Sequence, residues 1–370
     1  MLVTAGAGFI GSHLVDALLE EGHYVRILDN LDPQVHGKEQ KIPEYLNKEA
    51  EFIYGDVRNR DQVKKAISDI EVIFHEAAVV GVAQSMYEVE RYIHSNTYGT
   101  AVLWDVLINE PNKVKKVIVA SSMSIYGEGE YRCNKCGIVY PKLRGIERLK
   151  AHKWEIECPK CGFECLPIPT GEEKPLIPTS IYAISKKDQE EMSIVLGRAY
   201  NIPVVALRYF NIYGPRQALS NPYTGVAAIF SSRILNNNPP LIFEDGGQSR
   251  DFIHVKDIVR TNLLAMKNDK SDYLIFNVGC GHPITIFEIA NLLISNLNPT
   301  LTPQIANKFR EGDIRHCFAD VSKIKKELGF EAQISFEDGI NDLIQWVKTQ
   351  SADDLVDVAT SILGKKGLTK

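Results

Sequence analysis

Short apolar runs alternate with helical patterns along the first half of the 370-residue chain. The runs are rich in Val and Ile, and the segments between them repeat apolar residues at helical spacing. Continuous apolar strands separated by helices predict a parallel sheet that is covered on both faces. The predicted strands are LVTA, YVRILD, EVIFHEAA, VKKVIVASS and PVVALRYFN, and the predicted helices cover about 10–21, 61–67, 96–107 and 181–200.

The pattern changes beyond residue 215, where loops rich in Pro, Gly and Asn separate further helices. This half predicts a smaller α+β lobe, which follows an α/β domain built on a doubly wound parallel sheet. No internal repeat is visible. We predict an α/β domain at 1–129 and 167–215, an insertion at 130–166, a second lobe at 216–350 and a polar tail at 351–370.

Composition and charge narrow the classes of function. Hydrophobic residues make up 44% of the chain, as in ordinary globular proteins, so a sizeable core is expected. A net charge of -5 does not indicate binding to nucleic acid or to an anionic membrane, because such binding requires clustered Lys and Arg. No apolar stretch approaches the ~20 residues of a membrane span, and no signal peptide is visible. We expect a cytoplasmic protein, and the short first strand leaves open whether natural residues precede Met1.

Four of the seven cysteines form two CxxC pairs within the insertion. The pairs are Cys133/Cys136 and Cys158/Cys161, with 21 residues between them. This spacing predicts a zinc ribbon, in which four thiolates surround a structural Zn ion and leave no open position for chemistry. Unligated thiols and a redox pair are the alternatives, and Cys165 is expected to be a small packed residue. The insertion would either cap a substrate pocket or extend a subunit interface.

The first predicted strand leads directly into Gly6-x-Gly8-x-x-Gly11 and a helix. Such glycines permit a tight turn, close approach of the backbone to a pyrophosphate, and close packing of helix and strand. Asp29 ends the second strand, where a carboxylate binds ribose hydroxyls and disfavours a 2′-phosphate, so NAD is preferred to NADP. A structural glycine turn is the alternative. Asp56 either reaches the adenine or is an ordinary loop aspartate.

Tyr182 and Lys186 lie one helical turn apart in YAISK, so their side chains share a helix face. A neighbouring ammonium group and an oxidised nicotinamide both favour a tyrosine phenolate, which can accept a proton from an alcohol. The alternative is an exposed pair without function. Ser121 and Ser122 add hydroxyl groups at the carboxyl end of a predicted parallel strand, where ligands bind in open α/β sheets.

Eight motifs in order resemble those of extended short-chain dehydrogenases: TAGAGFIG, Asp29, FHEAA, Asn96 in NTYGT, ASSMSIYG, YAISK, RYFNIYGPRQ and RDFIHVKD. Among these enzymes the chain resembles the nucleotide-sugar 4-epimerases, outside the cysteine segment. The resemblance implies that 1–129 and 167–215 form an NAD-binding domain of Rossmann type and that 216–350 is mainly a substrate-binding lobe. It also implies Tyr182 as the base, Lys186 as its partner at the nicotinamide ribose, and Ser122 at the substrate hydroxyl. It also implies cofactor contacts from Phe9, Ile10, Asn30, Asp56, Val57, Ala77, Ala78 and Asn96.

The same resemblance implies how a UDP- or dTDP-linked sugar is held. Its diphosphate would contact Asn211, Arg250, Arg310 and Asp313. Cys317 stands where some epimerases carry a bulky tyrosine beside the sugar, so we expect this wall to admit a larger group at the 2-position. The family's dimers pair helices near 97–108 and 181–200, and we expect a homodimer.

Two departures from the family pattern affect this interpretation. Ala5 replaces a usual glycine, so the turn must tolerate a methyl group, for which Gly6 would compensate. Met123 and Ser124 replace the Asp-Glu pair of 4,6-dehydratases, and without those acids a dehydratase is disfavoured. The rival enzymes are a dehydratase and another nucleotide-sugar oxidoreductase. A rival from another class is an NAD-sensing scaffold, which would not need Tyr182 and Lys186.

Overall fold

A seven-stranded parallel sheet forms the centre of the computed structural model, which describes residues 1–370. Strand order reverses beside β1 (Leu2–Thr4), so that β2 (Arg26–Asp29) and β3 (Glu51–Tyr54) lie on one side and the later strands on the other. This order creates a crevice at the carboxyl ends of β1 and β4 (Val72–His75). In spatial order the strands are β13 (Ile275–Val278), β9 (Val204–Tyr209), β5 (Lys116–Ser122), β4 (Val72–His75), β1 (Leu2–Thr4), β2 (Arg26–Asp29) and β3 (Glu51–Tyr54).

Helices cover both faces of this sheet and bury two separate apolar layers. Leu14 and Val15 belong to one layer, and Leu103 and Trp104 belong to the other. The predicted fold class is therefore confirmed. The helices are α1 (Phe9–Glu20), α2 (Pro33–His36), α3 (Arg60–Ile67), α4 (Val82–Ser85), α5 (Val89–Tyr92), α6 (Gly99–Asn109), α8 (Ile181–Tyr200), α10 (Val255–Lys267) and α12 (Ser322–Leu328), with a π-helical segment Ile93–Tyr98 and 3₁₀ turns Met123–Tyr126 and Asp269–Ser271.

The second lobe packs small sheets against three helices around its own core. Part of the predicted 216–350 segment nevertheless returns to the central sheet, because β13 pairs with β9. The lobe's strands are β10 (Asn211–Tyr213), β11 (Leu241–Ile242), β12 (Ser249–His254), β14 (Pro283–Thr285), β15 (Gln304–Ile305) and β16 (His316–Cys317), and its helices are α9 (Val226–Leu235), α11 (Ile286–Leu297) and α13 (Phe336–Val347).

The insertion and the C-terminal segment each form a small unit. The insertion is a three-stranded antiparallel sheet, β6 (Glu130–Cys133), β7 (Gly137–Val139) and β8 (Leu166–Ile168), with the short helix α7 (Ile146–Lys150). The predicted polar tail contains helix α14 (Val356–Lys365), which buries Ala359 and Leu363. No helix of the molecule has both the length and the apolar character that a membrane crossing requires.

Candidate active site

The turn between β1 and α1 forms the floor of a cavity of about 490 Å³. Helix α1 starts after Gly8 with no side-chain cap, so its first N–H groups are available to an anion. A Cβ atom on Gly11 would lie 2.3 Å from the carbonyl oxygen of Ala5, which requires glycine there. Ala5 itself has φ of 53°, so the methyl group is tolerated in a left-handed conformation. These features fit a dinucleotide pyrophosphate.

Carboxylates line the far end of this first cavity, where an adenosine would lie. Asp29 is held by the N–H groups of Ala7 at 3.0 Å and Leu31 at 2.8 Å. Burial raises the pKa of Asp29, and these N–H donors oppose the rise. Asn30 donates to Asp56 at 2.8 Å, and both side chains line the cavity.

Two arginines also lie at this end, and both are already paired with carboxylates. Arg58 binds Asp56 at 2.6 Å, and Arg91 binds Asp32 at 3.1 Å. Burial works against ionisation of Asp56, but its bonds with Arg58 lower its pKa overall. No unpaired guanidinium is therefore offered to a 2′-phosphate, which fits NAD better than NADP.

Tyr182, Lys186 and Ser122 meet in a second cavity of about 450 Å³. Ser180 caps α8 by accepting from the N–H of Ala183 at 3.1 Å, which sets Tyr182 and Lys186 in the first turns of the helix. The Nζ atom of Lys186 donates to the carbonyl of Ala120 at 2.8 Å. The two cavities share lining residues, namely Phe9, Ile10, Glu76, Ala78, Val80 and Thr224.

The surroundings of Tyr182 and Lys186 partly favour and partly oppose the charged form of each side chain. Burial raises the pKa of Tyr182, while a hydrogen bond with Ser122 lowers it. Burial also lowers the pKa of Lys186 to about 8, against the attraction of Glu76. The hydroxyl of Ser121 instead donates to Glu190 at 2.6 Å, which distinguishes it from Ser122.

The predicted diphosphate-binding residues also line the second cavity. Asn211 has a buried Oδ1 atom without a hydrogen-bond partner, as expected of a group that awaits a ligand. Arg250 is fixed by donation to the carbonyls of Ile314 and Arg315 at 2.7 and 2.8 Å. Arg310 binds Asp313 at 2.8 Å and lies over the ring of Phe243.

Three of the residues predicted to contact cofactor or substrate do not line either cavity. Gly6 lies under the turn, where a Cβ atom would come within 2.9 Å of Ile27. Asn96 uses its amide on the backbone of Val79 and on Ser185, so it holds a cavity loop in place. Cys317 is buried, and its Sγ atom lies 3.7 Å from Thr170. The contacts expected of Asn96 with the cofactor and of Cys317 with the sugar stay predictions that these cavity walls do not support.

Some residues that line the cavities are not predicted from the sequence motifs. Glu76 lines both cavities. Its position in the sequence, at the carboxyl end of a predicted parallel strand, is the pattern that could have identified it as a site residue. Helix α14 forms a further wall of the second cavity. The helical spacing of its apolar residues in the sequence is the pattern that could have predicted this helix and its buried face. Its cavity-lining residues are Val356, Ala359, Thr360 and Leu363.

The four predicted metal ligands converge within the insertion. The Sγ atoms of Cys133, Cys136, Cys158 and Cys161 all lie within 4.8 Å of one another. A tetrahedral zinc ion with Zn–S bonds of about 2.3 Å places its sulfur atoms about 3.8 Å apart. Each CxxC pair is followed by a glycine with positive φ, at 73° and 74°. The N–H of Lys160 also donates to Cys158 Sγ at 3.4 Å, so the donor set fits a metal.

Ion pairs join the insertion to the second lobe, and the pair between Arg144 and Glu244 is buried. Arg144 makes a bidentate pair with Glu244, with both N–O distances 2.8 Å. Glu155 pairs with Arg315 and with His316. Burial raises the pKa of Glu155, but bonds with His316 and Arg315 outweigh this and lower it to about 2. Because no residue of the insertion lines either cavity, it supports the cavity wall from behind.

Comparisons with known proteins agree with this geometry. Residues 1–141 match the model of the "NAD dependent epimerase/dehydratase family", and residues 164–343 match that of "GDP-mannose 4,6 dehydratase". The chain is 33% identical to dTDP-L-rhamnose 4-epimerase of Burkholderia thailandensis, over 94% of both chains.

Two solved structures share the fold across nearly the whole chain. UDP-glucose 4-epimerase of Thermotoga maritima, solved with UDP-glucose, has a TM-score of 0.75 and 32% identity, covering 94% of this chain and 98% of that one. UDP-glucuronic acid 4-epimerase of Bacillus cereus, solved with UDP-glucuronic acid and NAD, has a TM-score of 0.74 and 26% identity with the same coverage.

Proposed function

The chain belongs to the NAD-dependent epimerase/dehydratase family, and we propose that it epimerises a nucleotide-diphosphate sugar at the 4-position with bound NAD. The observation that carries this proposal is the meeting of Ser122, Tyr182 and Lys186 in the second cavity, which joins the first cavity through shared lining residues. A dinucleotide in the first cavity would reach this junction from one side. A sugar nucleotide held by Asn211, Arg250 and the Arg310–Asp313 pair would reach it from the other side.

Each of these three residues would have a distinct role in the reaction. Tyr182 accepts the proton of the 4-hydroxyl, and Ser122 bonds to the same substrate oxygen. Bound NAD supplies the hydride acceptor and a positive ring that favours the tyrosine phenolate. Because burial raises the pKa of Tyr182, this base depends on nearby positive charge, which Lys186 also supplies. The 4-keto sugar would turn about its bound diphosphate within the second cavity, so that the hydride returns to the opposite face of the ring.

The alternative function, a 4,6-dehydratase, would need acidic residues directly after the catalytic serine, and this chain has none there. The residues after Ser122 are Met123 and Ser124, and the hydroxyl of Ser124 donates to Ser122 at 2.9 Å. No carboxyl group therefore follows the catalytic serine to remove water from the 6-position. The nucleotide-sugar 4-epimerase names among the relatives support the same choice.

The activity is tested with a panel of UDP- and dTDP-linked sugars, followed by separation of the 4-epimers. We expect interconversion of at least one pair without net formation of NADH. Tyr182→Phe should retain bound NAD and lose turnover by about 10²–10⁴-fold, since it removes an acid–base group. Tyr92→Phe is the matched control, because Tyr92 packs edge-on against Tyr182 but lies outside both cavities. Near-normal turnover by the Tyr182 variant would refute the assignment.

We also propose that the four-cysteine cluster holds one structural zinc ion. Four sulfur ligands close the coordination sphere, so the ion would stabilise the insertion without taking part in catalysis. The insertion has a small core of its own, in which Tyr131 and Ile156 pack beside the cysteines. Metal binding would therefore supply much of the energy that keeps this segment folded.

A further inference from the structure

Glu76 is a half-buried acid that lines both cavities, and the reaction described above assigns it no role. It follows β4 directly, at the carboxyl edge of the central sheet. Its Oε1 atom accepts from the hydroxyl of Tyr209 at 2.9 Å, and that hydroxyl accepts from Asn262 at 2.7 Å. Its Oε2 atom is buried and has no partner. The carboxyl group is thus held in place with one oxygen unsatisfied.

The charged group that acts on Glu76 is Lys186. Burial raises the pKa of Glu76 to about 7, and both Tyr209 and Lys186 oppose that rise. Burial lowers the pKa of Lys186 to about 8, and Glu76 opposes that fall. His75, the residue before Glu76, makes its hydrogen bonds with Thr4 and Thr100. Burial lowers the pKa of His75 to about 3, so its ring is neutral and adds no charge near Glu76.

We propose that Glu76 is a positioning residue of the epimerase reaction, whose carboxylate is the buried counter-charge that keeps Lys186 an ammonium group beside Tyr182. This inference rests on the proposed function. A lone ammonium group in a dry cavity loses its proton readily, whereas a buried pair of opposite charges stabilises both members. Glu76 would therefore act on the tyrosine through the lysine and would not touch the sugar.

The replacement Glu76→Gln makes the proposal testable through pH. Wild-type Glu76 is protonated below about pH 7, so the variant and the wild type should have similar activity there. Above that pH the variant lacks the counter-charge, and Lys186 loses its proton earlier. Glu76 and Lys186 line the same cavity, and opposite charges in such surroundings shift each other by about one to two pKa units. The alkaline limb of kcat/KM should move to lower pH by that amount.

The experiment compares wild type, Glu76→Gln and the charge-preserving variant Glu76→Asp, each with NAD bound. The first readout is kcat/KM against pH, in which Glu76→Asp should recover most of the wild-type alkaline limb. The second readout needs no activity: acetylation of Lys186 by acetic anhydride is followed against pH by peptide mass spectrometry. Only the unprotonated amine reacts, so Glu76→Gln should react at a lower pH.

The possible outcomes separate this inference from the proposed function. If no sugar is epimerised by the wild type, the proposed function fails, while the acetylation titration still reports on Glu76. If epimerisation is found and Lys186 titrates equally in wild type and Glu76→Gln, the counter-charge role is overturned. NAD content and circular dichroism of each variant show whether a loss arises from misfolding.

Discussion

Ala5 carries a backbone conformation that most residues avoid. Its φ of 53° lies in the left-handed region, where an L-residue other than glycine costs about 1–2 kcal/mol. The carbonyl oxygen of Ala5 lies so close to Gly8 and Gly11 that the turn admits little rearrangement. The β1–α1 turn therefore keeps its shape despite the missing glycine, and Gly6 does not take over the strained position.

Replacing Ala5 by glycine should stabilise the protein. The gain is the relief of left-handed strain, and the greater freedom of glycine in the unfolded chain offsets part of it. We expect a net stabilisation of about 0.5–1 kcal/mol, measured by chemical unfolding with and without NAD. The matched control is Ala7→Gly, which lies in the same turn at a residue without positive φ and should destabilise. A less stable Ala5→Gly protein would contradict the strain at this position.

At the scale of elements, the insertion has two independent attachments. The four cysteines stabilise the fold of the insertion itself, and the ion pairs of the insertion stabilise the wall of the second lobe. Arg315 donates to Glu155 while its carbonyl accepts from Arg250, so the insertion lies two contacts away from the proposed diphosphate site. Loss of the metal should therefore affect the sugar nucleotide more than NAD.

We expect the double substitution Cys133→Ser and Cys136→Ser to release about one zinc ion per chain, because a tetrahedral site cannot persist with two ligands. The KM for the sugar nucleotide should rise, whereas bound NAD should stay unchanged. Cys165→Ser is the control, since this buried thiol lies outside the four-sulfur group. Metal content by mass spectrometry and NAD content by absorbance measure both effects. Joint loss of zinc and NAD would show that the insertion is part of the core fold.

The C-terminal helix α14 is a second element with a role at the cavity. One end is held by Arg233, which pairs with Asp357 at 2.9 Å. Beyond the helix, the backbone of Lys370 exchanges two hydrogen bonds of 3.0 Å with Phe309, the neighbour of Arg310. The segment thus crosses the second cavity and is anchored on both sides. We infer that it closes the sugar-nucleotide site.

Ala359→Trp should fill part of the second cavity. Overpacking of this kind costs about 1–3 kcal/mol, so the KM for the sugar nucleotide should rise roughly ten- to a hundredfold. Ser361→Trp adds the same ring to an exposed position on α14 and serves as the control. Steady-state kinetics and NAD content are compared for both variants. Equal KM values would exclude α14 from the substrate wall.

On the scale of the whole molecule, helix α8 and the π-helical segment that precedes α6 present apolar side chains to solvent. Tyr98 is 47% exposed, Val195 is 64% exposed and Tyr200 is 52% exposed. Large exposed apolar groups on adjacent helices are typical of subunit interfaces. We propose that two copies of the chain pair through these helices around a twofold axis, which is the commonest arrangement of homodimers.

A homodimer predicts that light scattering at micromolar concentration reports twice the chain mass. Val195→Glu should then produce monomers, because two charges would be buried at the twofold interface. Val358→Glu is the control, since Val358 is 58% exposed on α14, away from these helices. A wild-type monomer, or equal dissociation of both variants, would contradict the proposed interface.

Local patterns made much of the site predictable. Strand runs and helix periods depend on residues near in sequence, and parallel strands bring their carboxyl ends to one edge. That is why Asp29, Ser122 and the glycine turn were found at the predicted edge. Tyr182 and Lys186 followed from the geometry of one helical turn, and the four cysteines followed from ligand spacing.

Other features depended on contacts between distant segments, which sequence patterns do not specify. Glu76 acquires its environment from Tyr209 and Lys186, on two other elements. The same is true of Arg144 and Glu244, whose pairing attaches the insertion to the second lobe. The tail is polar on average and becomes a cavity wall only where the lobe covers its apolar face. The sequence by itself therefore determined the elements and the reactive groups, while the tertiary structure decided which side chains face the cavities, because that depends on packing.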